Sequence, residues 1–171
     1  MTTREKHIVD RDILLTATLI IVSDSISAAG KKWKKLDTSA KKGAEILGAN
    51  GVTVRKTLVV ADEIDQIRKA VKEETAEKTS LIITIGGTGI ARRDVTIEAV
   101  QPLLEKELPG YGELFRLKTH EEVGTISIMT RAMAGVIDKT CVVCLPGSTN
   151  AVTLGTEIIL EELLHIINLR R

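Results

Sequence analysis

The residues best suited to chemistry follow an apolar run. Directly after Leu81-Ile-Ile-Thr-Ile85 stands Gly86-Gly-Thr-Gly89, with three glycines in four positions. Glycines at such a place let the backbone take positive φ and come close to a ligand, and successive N–H groups there form an anion-binding nest. The Gly-Lys-Ser/Thr ending of a P-loop is missing, and so is the G-x-G-x-x-G spacing of a dinucleotide fingerprint. A tight structural turn is the competing reading. Arg92-Arg93-Asp94 follows at once. An arginine fork can clamp phosphate oxygens, and Asp94 can hold a magnesium ion, orient a reacting phosphate or cap the next helix. Pro146-Gly-Ser-Thr-Asn150 opens the last long helical pattern. Its small residues leave a helix N-terminus accessible to an anion, which the macrodipole favours; Ser148 as a simple cap explains it equally.

Two further acidic positions sit just past apolar runs. Asp62 follows Val52–Val60, where a helix cap is the ordinary explanation, and Asp24 lies between Ser23 and Ser25 after Thr16–Val22, in what reads as a loop. Lys31-Lys-Trp-Lys-Lys35 can attract a triphosphate or simply be a solvated loop. His7, His120 and His165 show no ligand spacing, and no Gly-x-Ser-x-Gly elbow supports hydrolase chemistry. Cys141 and Cys144 have redox or zinc spacing but stand within Thr140-Cys-Val-Val-Cys-Leu145. On a strand, positions i and i+3 face opposite sides, so two free core thiols are expected.

These residues need elements to position them. Thr16–Val22, Val52–Val60, Leu81–Ile85 and Thr140–Leu145 read as strands. Helical patterns fill 37–47, 62–78, 95–105 (with Asp94 as cap) and 151–168, and short helical stretches are expected near 112–117 and 127–136. Strands alternating with helices give an α/β fold in three layers, a mainly parallel sheet with helices on both faces. Ligands of such sheets bind outside the carboxyl ends of the strands, where Ser23–Ser25, Asp62, Gly86–Asp94 and Pro146–Asn150 all fall. Residues 1–15 are expected to form a polar arm and 16–171 a single domain.

The chain has 171 residues, 43% of them apolar, and its only aromatics are Trp33, Tyr111 and Phe115, so the core must be aliphatic. A net charge of +1 gives no polyanion footprint, which argues against nucleic-acid binding. The apolar run 13–22 is too short to cross a bilayer, and the mixed charges before it do not resemble a signal peptide. A cytoplasmic protein without a membrane span is expected.

Four blocks in this order carry a resemblance: Ser23-Asp24-Ser25, Gly86-Gly-Thr-Gly-Ile-Ala-Arg-Arg-Asp-Val-Thr96, Thr130-Arg-Ala-Met-Ala-Gly-Val136 and Leu145-Pro-Gly-Ser-Thr-Asn-Ala-Val152. Together they resemble the molybdopterin-binding domain family, the MogA/MoaB group of molybdenum cofactor biosynthesis. Leu108–Arg116 and Glu121–Thr125 look more like the MoaB branch. The resemblance implies that molybdopterin and ATP are substrates, that Mg²⁺ accompanies ATP, and that adenylyl-molybdopterin and pyrophosphate are products. It places Asp62 and Asp94 at the essential acidic positions, as magnesium and phosphate-positioning residues. Ser23, Asp24, Ser25, Gly86, Gly87, Thr88, Gly89, Arg93, Arg131, Pro146, Gly147, Ser148 and Asn150 become substrate contacts. A homo-trimer or hexamer and a downstream metal-insertion partner are also implied. Ala91 and Ile97 stand where many members have proline, and Asp37-Thr38-Ser39-Ala40 replaces the usual Asp-Arg-Ser-Gly. Two alternatives remain: a non-catalytic molybdopterin-binding or assembly protein, and a nucleotide-using relative of the nicotinamide-nucleotide amidase partner domains.

Overall fold

The computed structural model describes residues 13–28 and 37–170. Of the arm expected over residues 1–15, residues 1–12 lie outside the described residues, as does the lysine cluster 31–35, while Ile13 and Leu15 pack against the core. Six strands form one sheet in the order β2-β1-β3-β6-β5-β4. β1 (Thr16–Val22), β2 (Thr53–Val60), β3 (Leu81–Ile85) and β6 (Thr140–Leu145) run parallel. β5 (Met133–Ile137) and β4 (Lys106–Glu107) continue the sheet antiparallel. β1, β3 and β6 are buried on both faces, as their unbroken apolar runs require.

Helices cover both faces. Ala17, Leu19, Ile21, Leu81, Ile83, Ile85, Cys141, Val143 and Leu145 pack on one side. Against them lie α2 (Thr38–Ala49), α5 (Pro109–Val123) and α6 (Thr149–Leu169). On the other side Ile20, Val22, Ile82, Val142 and Cys144 meet α3 (Ile64–Ala76) and α4 (Thr96–Val100). Cys141 and Cys144 thus face opposite layers as free buried thiols, each pushed up to about 12 by burial.

Four local expectations need correction. Ser23-Asp24-Ser25 is not simply a loop, because Asp24 opens a one-turn helix, α1 (Asp24–Ala28). The helix expected over 95–105 ends at Val100 and passes through a 3₁₀ turn, Gln101–Leu103, because Pro102 cannot continue the α ladder. The 112–117 stretch is part of the fifteen-residue α5, with Pro109 in its first turn. The stretch 127–136 is not helical throughout: a 3₁₀ segment, Gly124–Met129, gives way to strand β5. β5 pairs with β6 from Met133↔Cys144 to Ile137↔Thr140 around Asp138-Lys139, with Asp138 at φ 48°. That antiparallel pairing overrides the helix preference of Met and Ala.

Candidate functional site

The carboxyl ends of the parallel strands are sewn together by backbone bonds. Ser23 N–H donates to Val60 O at 3.0 Å, and Gly86 N–H to Leu145 O at 2.8 Å. This brings the loops after β1, β2, β3 and β6 to one edge, as the alternating pattern predicts. Gly86 has φ +109°, and a Cβ there would stand 2.4 Å from Val22 O. Gly87 has φ +65°, and its Cβ would stand 2.4 Å from Thr96 Oγ1 and 3.2 Å from Asp62 Oδ1. Both positions therefore require glycine on space as well as conformation.

Asp62 and Asp94 flank this loop from different elements. Asp62 accepts from Asp24 N–H at 2.9 Å, and its own N–H donates to Asp24 Oδ1 at 3.0 Å. This reciprocal pair locks the β1 and β2 loops to each other. Asp94 Oδ2 accepts from Ala91 N–H at 2.9 Å and lies where a Cβ on Gly89 would come within 2.7 Å. Neither aspartate caps a helix: Val95 and Glu63 occupy the N-cap positions of α4 and α3, without side-chain caps. In each carboxylate the other oxygen has no hydrogen-bond partner among the described residues. Burial pushes the Asp62 carboxyl above its ordinary value; the Asp24 N–H opposes this, the Asp24 charge adds to it, and Arg93 and Asp94 act weakly in opposite directions.

Ser23, Asp24, Ser25, Asp62, Gly87, Arg93 and Asp94 line one cavity of about 250 Å³. Across the glycine loop lies a larger cavity of about 550 Å³, to which Thr88, Gly89, Pro146, Ser148 and Asn150 contribute. Its far wall is mainly apolar, with Phe115, Val123, Ile126 and Leu154. Ser148 caps α6, accepting from Ala151 N–H at 3.2 Å. Gly147 packs close to Gly86, 3.8 Å separating a Cβ there from the Gly86 Cα. Neither Gly86 nor Gly147 lines either cavity. Arg131 stands apart from both, its guanidinium engaged with protein atoms: Nε donates to Gly89 O at 2.9 Å, Nη2 to Asp94 O at 3.0 Å, and an ion pair joins it to Glu98.

Three supporting residues escape sequence reasoning. Thr96 is fully buried, its hydroxyl donates to Gly86 O at 2.8 Å and its N–H to Gly87 O at 3.0 Å. Ser39, next to the Asp37 cap of α2, donates to Gly147 O at 2.7 Å and ties α2 to the start of α6. Glu98 grips Arg131. Each acts on a backbone carbonyl or side chain distant in sequence, and a hydroxyl or surface carboxylate carries no local signal of such a bond.

The arrangement offers backbone N–H groups and an arginine for phosphate, hard carboxylate oxygens for a divalent cation, and an adjoining cavity with apolar walls. A family model described as a probable molybdopterin binding domain matches residues 18–165. The molybdenum cofactor biosynthesis protein B of Staphylococcus carnosus is 38% identical over 173 residues, covering 97% of this chain and 97% of that protein. Its counterpart in Bacillus subtilis is 38% identical over 166 residues, covering 95% and 94%. The crystal structure of the tungsten cofactor synthesizing protein MoaB from Pyrococcus furiosus superposes with a TM-score of 0.82 at 38% identity, covering 92% of this chain and 97% of that one.

Proposed function

We propose that this chain, which belongs to the molybdopterin-binding domain family and within it to the molybdenum cofactor biosynthesis protein B group, transfers the adenylyl group of ATP to molybdopterin. In that reaction an oxygen of the molybdopterin phosphate attacks the α-phosphorus of ATP. The bond from that phosphorus to the bridging oxygen breaks, and pyrophosphate leaves with its electron pair. Such a transfer needs alignment and charge stabilisation and no covalent enzyme intermediate.

The observation that carries the reading is that Asp62 and Asp94 line one cavity together with Gly87 and Arg93. The glycine-loop N–H groups and Arg93 would hold phosphate oxygens. The larger cavity, walled in part by Phe115 and Leu154 and edged by Ser148 and Asn150, suits a fused heteroaromatic ring.

Magnesium entering with ATP would be held by Asp62 and Asp94, and it supplies neutralisation of phosphate charge. The donor chemistry fits, since each carboxylate keeps one oxygen without a protein partner among the described residues. Among those residues no group of three His, Cys, Asp or Glu side chains is placed to hold a metal alone. A magnesium site built from one or two carboxylates is ordinarily completed by substrate phosphates and water. Asp62, the partly buried carboxyl held by the Asp24 amide, fixes the β1 and β2 loops; Asp94 fixes the turn that follows the glycines.

Self-association as a trimer or hexamer belongs to the same proposal. It is supported by exposed Leu117, Val123, Ile126 and Ile128 on α5 and the 3₁₀ segment after it. A soluble cytoplasmic setting and delivery of product to a metal-insertion protein complete it; no helix among the described residues is long and apolar enough to cross a membrane.

Asp94→Asn tests the site. The amide oxygen can still accept from Ala91 N–H, so fold and molybdopterin affinity should persist. Adenylyl transfer should slow by about 10³-fold, the usual scale for losing one preorganised electrostatic group. Turnover at the parental rate would remove Asp94 from the reaction.

A further inference from the structure

The turn from Gly89 to Asp94 has little to hold it. Ile90, Ala91, Arg92 and Arg93 are exposed, and the turn contains no proline to fix its φ angles. Within it Asp94 N–H donates to Ala91 O at 2.9 Å and Ala91 N–H to Asp94 Oδ2 at 2.9 Å. These bonds shape the turn but do not attach it to the domain. The attachment comes from one side chain across the sheet edge. Arg131 Nε donates to Gly89 O at 2.9 Å and Nη2 to Asp94 O at 3.0 Å, so a single guanidinium bridges both ends of the turn. Arg131 N–H also donates to Thr88 O at 3.1 Å. Glu98, one turn into the chain after Asp94, accepts from Nη1 and, at 3.3 Å, from Nη2.

We infer that Glu98 is a positioning residue that acts through Arg131, the pair forming a brace that sets where Asp94 and the Gly89 carbonyl stand. The inference rests on the adenylyl-transfer reading for its kinetic consequence, but not for its structural one. A carboxylate orients a guanidinium in the plane of its fork. With Glu98 present, the Nε and Nη2 hydrogens point at Gly89 O and Asp94 O. Without it the same arginine is a long, solvent-accessible side chain with many rotamers. The pair is itself partly exposed, with side-chain exposures of 34% for Arg131 and 47% for Glu98. Partly exposed pairs add little to global stability, so the brace is expected to matter for geometry far more than for folding. A misplacement of the order of 1 Å in a positioning element lowers turnover by about 10²-fold.

The test uses the full chain with Glu98→Ala, Glu98→Gln, Arg131→Lys and Arg131→Ala. Hydrogen exchange is followed at the amides of residues 89–95, with β3 as internal reference. Glu98→Ala should raise exchange at Ala91 and Asp94 about tenfold, leave β3 unchanged and shift the thermal midpoint little. Glu98→Gln, which keeps an acceptor for the guanidinium, should recover most of the protection. Arg131→Lys should not, because one ammonium cannot reach Gly89 O, Asp94 O and Glu98 together. The Glu98→Ala/Arg131→Ala double variant should exchange no faster than Arg131→Ala alone. In pyrophosphate release, Glu98→Ala should lower kcat about 30-fold with KM for ATP within twofold. Parental exchange at residues 91–94 in Glu98→Ala would overturn the brace, whatever the activity. So would a loss confined to KM in an active preparation. A parental protein that releases no pyrophosphate would refute the adenylyl-transfer reading and leave the exchange result to judge the brace.

Discussion

Replacing Gly87 with alanine probes the loop on which the site is built. The residue has φ +65°, where an L side chain costs about 1–2 kcal/mol. The new Cβ would stand 2.4 Å from Thr96 Oγ1, an atom held by its bond to Gly86 O at 2.8 Å. Displacing that hydroxyl leaves the buried Thr96 donor without its partner, worth about 1–3 kcal/mol. The expected loss for Gly87→Ala is therefore about 3 kcal/mol. Thr96→Ala loses the same hydrogen bond and opens a small void, for about 2 kcal/mol. The double variant should not lose the sum. With the Thr96 hydroxyl gone the overlap is relieved and the hydrogen bond is counted once, giving about 3.5 kcal/mol and a coupling of about 1.5 kcal/mol. Urea unfolding followed by circular dichroism at fixed protein concentration measures all three. A Gly87→Ala loss below about 1 kcal/mol, or additivity within about 0.5 kcal/mol, would refute this account of how α4 clamps the loop.

Further outcomes follow from the same contacts. Asp62→Asn should change the pH dependence of stability. The folded carboxyl titrates above the ordinary 3.8, so the parent loses stability as pH rises from 3.8 through the folded value. The asparagine variant lacks that loss, so its midpoint relative to the parent should rise across that window; a relative fall would contradict the assignment. Ser39→Ala removes the bond to Gly147 O and should cost about 1 kcal/mol in the same unfolding experiment; an unchanged midpoint would deny the tie between α2 and α6. Cys141 and Cys144, buried and pushed up to about 12, should resist a thiol reagent at pH 8 in the native protein and react only after unfolding. Rapid native labelling of either would place it outside the core.

Much of this architecture is written locally. Leu81–Ile85 reads as a doubly buried strand because a continuous apolar run has no solvent face, and the structure has β3 over those same residues. The sequence offers Asp37 or Thr38 as the cap of the first long helix, and Asp37 takes the position, accepting from Ala40 N–H at 2.7 Å. Gly86 and Gly87 are legible because few other residues tolerate their backbone angles. What escapes is whatever depends on distant partners. Met133–Ile137 contains good helix formers and becomes a strand only because β6 offers an antiparallel edge. Asp94 has the sequence position of a cap, but its carboxylate turns back to Ala91 N–H instead. Thr96, Ser39 and Glu98 support the site through bonds to Gly86 O, Gly147 O and Arg131, none of which a pattern of hydrophobicity can announce.

The most direct measurement is pyrophosphate release from ATP and Mg²⁺, with and without molybdopterin. Release should require molybdopterin and be lost in Asp94→Asn. No release from a preparation that still binds molybdopterin would contradict the adenylyl-transfer reading and identify the chain as a binding or assembly protein without chemistry of its own.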